Sequence, residues 1–157
     1  MEDRHLEHGT AAERMSNTSD STWTHQATLP SICGAGHQFM ADLLGALKQH
    51  HWSAKEIFGV HLAVEEALVN AIRHGNGSDE NKEVRVTCKL RPDHLFLEIV
   101  DEGSGFDPTE VPDCTDAQNL HRSNGRGIML MRKYMSRVEY MDGGHRVVME
   151  KRRDSVG

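Results

Sequence analysis

The chain has 157 residues, with a hydrophobic content of 37% and a charged content of 27%, which predict one globular domain with a sizeable core. No apolar run approaches the roughly 20 residues of a membrane span, residues 1–20 lack the apolar core of a signal peptide, and a net charge of −6 with scattered Lys and Arg argues against nucleic acid as a partner. Its three cysteines lie far apart and form no CxxC pair, so we expect a reduced, cytoplasmic protein with no membrane partner.

The N-terminal part predicts an arm, a strand and a helix. Residues 1–20 are polar and aperiodic, which predicts a flexible arm ahead of a single domain over residues 21–153. Residues 23–29 alternate weakly and predict a first strand that Pro30 ends. Ser31 is the expected cap of a helix over residues 32–49, where apolar side chains recur at helical spacing.

The helix predicted to follow has the clearest signals in the chain. Ser53 and Glu56 form a capping box at its start, and Gly75 or Gly77 can end it in a left-handed conformation. Its apolar side chains share one face, which consists of Ile57, Val60, Val64, Ala67, Leu68, Ala71 and Ile72.

Glu66 and Asn70 lie one turn apart on the opposite edge of this helix, and we expect them to look away from the core. Glu66 could be an ordinary solvated charge, paired with Arg73 at little benefit. Alternatively, the amide oxygen of Asn70 suits Mg²⁺, and the carboxylate of Glu66 can orient a water or accept a hydroxyl proton. Both explanations remain open on this stretch alone.

The second half of the chain predicts strands around one more helix. Residues 101–108 form a glycine-rich loop, residues 109–124 are polar and, at about sixteen residues, longer than most loops, and residues 127–135 return to helical spacing. The segments with strand character are 84–90, 95–100, 138–141 and 146–150. This order predicts a two-layer α+β fold, with helices on one face of a mixed or antiparallel sheet.

Two glycine-rich stretches complete the candidate site. Asp101, at the end of a buried strand, could cap a turn or accept a hydrogen bond from an exocyclic amine such as that of adenine. Gly103 and Gly105 would let the backbone approach a ligand. The Gly-Arg-Gly stretch at 125–127 opens a helix, where free N–H groups suit anions, but it matches neither a Walker A loop nor a dinucleotide fingerprint.

In order and spacing, these three stretches resemble the N, G1 and G2 boxes of the GHKL ATPase superfamily, over about residues 22–152. The segments AVEEALVNAIRHG, DEGSGFDP and RSNGRGIMLMRKYM look most like the small anti-sigma factor serine/threonine kinases. The resemblance implies the Bergerat fold, in which a mixed sheet lies under helices and ATP and Mg²⁺ are held between them.

The resemblance implies a role for each residue of the first two boxes. Glu66 matches the general base and Asn70 the Mg²⁺ ligand. Asp101 matches the adenine-binding aspartate, and Gly103 and Gly105 match the glycines that line the nucleotide.

The third box contains one departure from the family pattern. Gly125 and Gly127 match the glycines near the phosphates, and residues 109–124 would form the ATP lid. Arg122 resembles an arginine that can reach the γ-phosphate, but one extra residue separates it from the first glycine. Arg126 is therefore the competing candidate.

The resemblance implies a kinase that acts in a partner-switching circuit. The substrate would be a STAS-domain anti-sigma factor antagonist, with a sigma factor as a second partner. We also expect the ATPase module to stand alone, because residues 1–21 are too short and polar for a dimerisation helix pair and the chain ends soon after its last strand. Relatives pair as homodimers through the first strand and helix, where Ile32, Phe39 and Leu43 could serve an interface or the core equally well. Two alternatives are a nucleotide-gated binding module with little or no kinase activity and an ATPase without a protein substrate.

Overall fold

The computed structural model describes residues 22–32, 34–103 and 126–154, with the Arg126 side chain left out. Both the predicted arm and the predicted lid lie outside these residues. None of the described helices has the length and hydropathy needed to cross a membrane. In chain order the elements are β1 (Trp23–Pro30), α1 (His37–Gln49), α2 (Ala54–Val69), a π-helix (Asn70–Gly75), β2 (Glu83–Arg91), β3 (His94–Val100), α3 (Arg126–Tyr134), β4 (Arg137–Met141), a 3-10 turn (Asp142–Gly144) and β5 (Arg146–Arg152).

The five described strands form one sheet in the order β1-β2-β3-β5-β4, and all four pairings are antiparallel. The predicted α+β class is confirmed, but the mixed sheet implied by the resemblance is wrong for these strands. Two helices between β1 and β2 return the chain in the opposite direction. The β4–β5 hairpin then inserts β5 between β3 and β4, which run the same way and would otherwise have been parallel neighbours.

The helices pack on one face of the sheet and form a single core with it. On β2, Val84, Val86, Cys88 and Leu90 are buried, whereas Arg85 and Lys89 between them are exposed, as the alternating pattern predicts. The helices contribute their apolar faces to the same core, including Phe39, Leu43, Leu47, Val60, Val64, Ala67 and Ile72. The opposite face of the sheet carries charged pairs such as Arg146 with Glu98.

The first helix begins later than the sequence predicts. It starts at His37, because Gly34 adopts a φ of +93° that interrupts helical geometry. Ser31 is not its cap. The Ser31 hydroxyl instead donates to the Lys82 carbonyl at 2.6 Å, and the Ile32 side chain is exposed.

The second helix begins as predicted and ends differently. Ser53 Oγ accepts from the Glu56 N–H, and Glu56 Oε1 accepts from the Ser53 N–H, so the capping box is confirmed. From Asn70 the helix widens into a π-helix, after which Gly77 adopts a φ of +61°. A π-helical turn within a helix is frequent at functional sites.

Candidate functional site

Three stretches that are distant in sequence meet at the C-terminal end of α2. The π-helix follows α2, the strand end at Asp101 packs against it, and the start of α3 lies against Glu66. Of the predicted site residues, the structure describes Glu66, Asn70, Asp101, Gly103 and Gly127. The other predicted site residues, Gly105, Arg122 and Gly125, lie outside the described residues, as does the side chain of Arg126.

Asn70 is buried beneath a tyrosine of β4. Its side chain amide donates to Tyr140 Oη at 3.1 Å, and the residue is only 3% exposed. The expectation that Asn70 looks away from the core is therefore wrong, because β4 covers that edge of the helix. Since its amide nitrogen is engaged, the carbonyl oxygen is the end of the carboxamide suited to a hard cation such as Mg²⁺.

Tyr140 is the residue around which these groups assemble. Burial raises the pKa of its hydroxyl to about 12, and the negative charges of Glu66 and Asp101 add to that rise. The phenol therefore stays neutral at physiological pH and can act both as acceptor for Asn70 and as a donor.

Glu66 lies directly against the first turn of α3. A Cβ atom added to Gly127 would lie 2.4 Å from Glu66 Oε2, so only glycine leaves the carboxylate where it is. A second glycine, Gly59, makes room for the Tyr134 ring in the same way, with an added Cβ 2.9 Å from that ring. These two glycines let α3 approach α2 closely and bring the third predicted stretch onto the first.

Asp101 forms the buried floor beyond the end of β3. It is 6% exposed, and burial raises the pKa of its carboxyl, although hydrogen bonds from His145 and Gly103 oppose that rise. Its Oδ1 accepts from the Gly103 N–H and from His145 Nδ1, each at 3.0 Å. Its Oδ2 faces Gly75, where an added Cβ would overlap it.

The loop after Asp101 packs on the end of the π-helix. An added Cβ at Gly103 would overlap the carbonyl of Gly75, so packing within the protein already requires glycine at both positions. The Glu102 N–H donates to Asn76 Oδ1 at 2.7 Å, and the Asn76 amide donates to Ser31 Oγ at 2.8 Å. This buried asparagine thereby connects three chain segments beneath the site.

Sequence reasoning did not identify Tyr140, His145 or Asn76 as site residues. The alternation of residues 138–141 places Tyr140 on the same strand face as Val138, which was the available signal. His145 and Asp101 are 44 residues apart in the sequence, and no local pattern connects them.

Comparisons with known proteins agree with this architecture. The sequence profile of the histidine kinase-like ATPase domain family matches residues 34–151. An anti-sigma F factor from Clostridium novyi is 32% identical over 108 residues, which cover 65% of this chain and 75% of that protein. A serine-protein kinase RsbW from Listeria innocua is 31% identical over 120 residues, which cover 70% of this chain and 74% of the kinase.

A solved structure shares the fold. The RsbU and RsbW domains of a Mycobacterium tuberculosis protein match with a TM-score of 0.60 at 17% identity. The match covers 83% of this chain and 32% of that longer one. This match confirms the fold, and the family profile confirms the resemblance inferred from the three boxes.

Proposed function

Because this chain belongs to the histidine kinase-like ATPase domain family, we propose that it is an ATP-dependent serine/threonine protein kinase of a partner-switching system. Its substrate would be a STAS-domain anti-sigma factor antagonist, and a sigma factor would be its second partner. The names of its relatives, anti-sigma F factor and serine-protein kinase, support this proposal. The observation that carries it is the convergence of Glu66, Asn70 and Asp101 around Tyr140.

The proposed nucleotide contacts follow from the chemistry of each group. The Asp101 carboxylate would accept a hydrogen bond from the exocyclic amine of adenine, and the backbone at Gly103 and Gly105 would line the base. Gly125 and Gly127 would lie near the phosphates, where the N–H groups that open a helix favour negative charge.

Asn70 is the proposed Mg²⁺ ligand. Its carbonyl oxygen is a hard donor, and the hydrogen bond from its amide to Tyr140 holds the carboxamide in one orientation. When bound, the metal would neutralise negative charge on the phosphates. Most of the other ligands would be phosphate oxygens and waters, which is how Mg²⁺ is commonly held.

Glu66 is the proposed general base. Its carboxylate would accept the proton of the incoming serine or threonine hydroxyl as the new O–P bond forms and the bond to the ADP oxygen breaks. An arginine, either Arg122 or Arg126, would stabilise charge on the transferring group. Phosphoryl transfer depends mainly on positioning and electrostatics, and the missing Cβ at Gly127 leaves room for the Glu66 carboxylate in this position.

The test compares two neighbouring carboxylates. Glu66→Gln removes the proposed base, whereas Glu65→Gln removes an exposed charge that pairs with His61 on the same helix. We expect ADP affinity to be retained in both variants, and phosphate transfer to a STAS-domain protein to fall about 10²–10⁴-fold in Glu66→Gln alone. Transfer at the wild-type rate in Glu66→Gln would remove Glu66 from the mechanism.

A second candidate is a nucleotide-gated anti-sigma factor with little or no kinase activity. The name of the Clostridium relative favours it. Under this alternative, ATP would change the affinity of the chain for a sigma factor without phosphate transfer to any antagonist. Binding measured with and without ATP, beside a transfer assay on the same protein, separates the two candidates.

A further inference from the structure

His145 lies beside the carboxylate proposed to recognise adenine. Building on the proposed function, we infer that His145 is a positioning residue that keeps Asp101 ionised, so that its imidazolium form extends nucleotide affinity to lower pH. The inference concerns a residue outside the three boxes. It predicts a pH dependence that a purely structural histidine would not produce.

The geometry connects the two residues through side chain and backbone. His145 Nδ1 lies 3.0 Å from Asp101 Oδ1, and the Asp101 N–H donates to the His145 carbonyl at 2.9 Å. The Asp101 side chain is 2% exposed, whereas that of His145 is 30% exposed. The imidazole can therefore exchange protons with solvent while the carboxylate remains at the floor of the site.

The two carboxylate oxygens have different surroundings. Oδ1 is engaged by His145 and by the Gly103 N–H. Oδ2 lies against the Gly75 backbone. Oδ2 is thus the oxygen with capacity to accept from an amine of a ligand, and it accepts more strongly while the carboxyl is ionised.

Charge makes the role of His145 more than geometric. Burial raises the pKa of Asp101 and so favours its protonated form. The O–H of that form would face the N–H of the adenine amine, and two donors cannot bond to each other. A cation in direct contact opposes that effect, and histidine is the side chain that ordinarily gains its charge between about pH 5 and 8. An imidazolium at His145 would place such a cation in direct contact with Asp101.

The other charged groups near the pair are shared by the proteins to be compared. Lys82 and Tyr140 act electrostatically on Asp101, and the pKa of Tyr140 is about 12. The remaining charged or titratable neighbours in sequence are His74 before Gly75, Glu102 after Asp101, and Asp142 and Arg146 beside His145. All of these groups are present in every variant below.

The test measures ADP affinity by calorimetry between about pH 5 and 8 for the full chain and two His145 variants. His145→Asn keeps a neutral N–H donor, and we expect it to match the wild type near pH 8 but to lose affinity on acidification about one pH unit earlier. His145→Arg restores a permanent cation, and we expect its acid limb at or below that of the wild type. Inosine diphosphate, which lacks the exocyclic amine, should show no such shift between variants.

The control is a second histidine–carboxylate pair at the other end of β3. His94 Nε2 lies 2.7 Å from Glu150 Oε1, and its side chain is 31% exposed. We expect His94→Asn to follow the wild-type profile. If the ADP affinity of His145→Asn equals that of the wild type at every pH, or is weaker by the same factor at every pH, the role of His145 is refuted and the proposed function is unaffected. If the wild-type chain binds no ADP, the proposed function itself is refuted.

Discussion

Replacing Gly127 by alanine should slow phosphate transfer while leaving the stability of the fold almost unchanged. The added Cβ would lie 2.4 Å from Glu66 Oε2, about 1 Å closer than the roughly 3.3 Å at which carbon and oxygen ordinarily meet. The next nearest atoms, at 3.2 and 3.9 Å, belong to the same glutamate. The obstacle is therefore the end of one flexible side chain, and we expect the Glu66 carboxylate to move by about 1 Å while the backbone stays in place.

The two consequences of Gly127→Ala differ greatly in size. Alanine in a helix is favoured over glycine by about 0.5–1 kcal/mol, and displacement of Glu66 from its rotamer costs about 0.5–1.5 kcal/mol. The free energy of unfolding should therefore change by less than about 1 kcal/mol. In contrast, a misplacement of about 1 Å in a catalytic group can reduce the rate of transfer about 10²-fold.

The assay combines urea unfolding, ADP titration and phosphate transfer at saturating ATP. Gly45→Ala in α1 is the matched control, because no described atom lies within 4 Å of its added Cβ. That variant should be slightly more stable than the wild type and equally active. Transfer by Gly127→Ala within about threefold of the wild type, or a stability loss above about 2 kcal/mol, would refute the assumption that Glu66 alone yields.

Two further changes test the floor of the site and its support. Because burial raises the pKa of Asp101, the folded chain holds that proton more tightly than the unfolded chain, and ionisation costs stability as the pH rises. Asp101→Asn should therefore raise Tm at about pH 7, and this gain should vanish toward about pH 3. The same change should weaken ADP binding more than about tenfold. A gain in Tm that does not depend on pH would contradict this reasoning. Asn76→Ala should lower the free energy of unfolding, measured in urea, by about 3 kcal/mol, because the Glu102 N–H loses its acceptor. The control Asn81→Ala, at an exposed position, should change that free energy by less than about 0.5 kcal/mol.

Much of the fold follows from local patterns. Ser53 and Glu56 are three residues apart, so the capping box could be recognised without tertiary information. The alternation along β2 predicted which side chains face the core, and the segments 138–141 and 146–150 predicted the two strands of the last hairpin. In each case the interaction that determines the structure lies within one element or one turn.

The errors came from interactions between distant segments. The pairing of β5 with both β3 and β4 decides that the described sheet is antiparallel. The burial of Asn70 depends on Tyr140, which is 70 residues away. Helical periodicity within α2 contains no information about what covers its polar edge.

The sequence by itself determined the order and spacing of the three boxes, and these indicated the family. It also determined that Glu66 and Asn70 are neighbours, because one helical turn separates them. Tertiary structure decided which atoms surround them: Gly127 against Glu66, Tyr140 over Asn70, and His145 on Asp101. The physical reason is that these contacts join elements through packing and chain crossover. A residue such as His145 acquires its proposed role only when the final hairpin brings it to the end of β3.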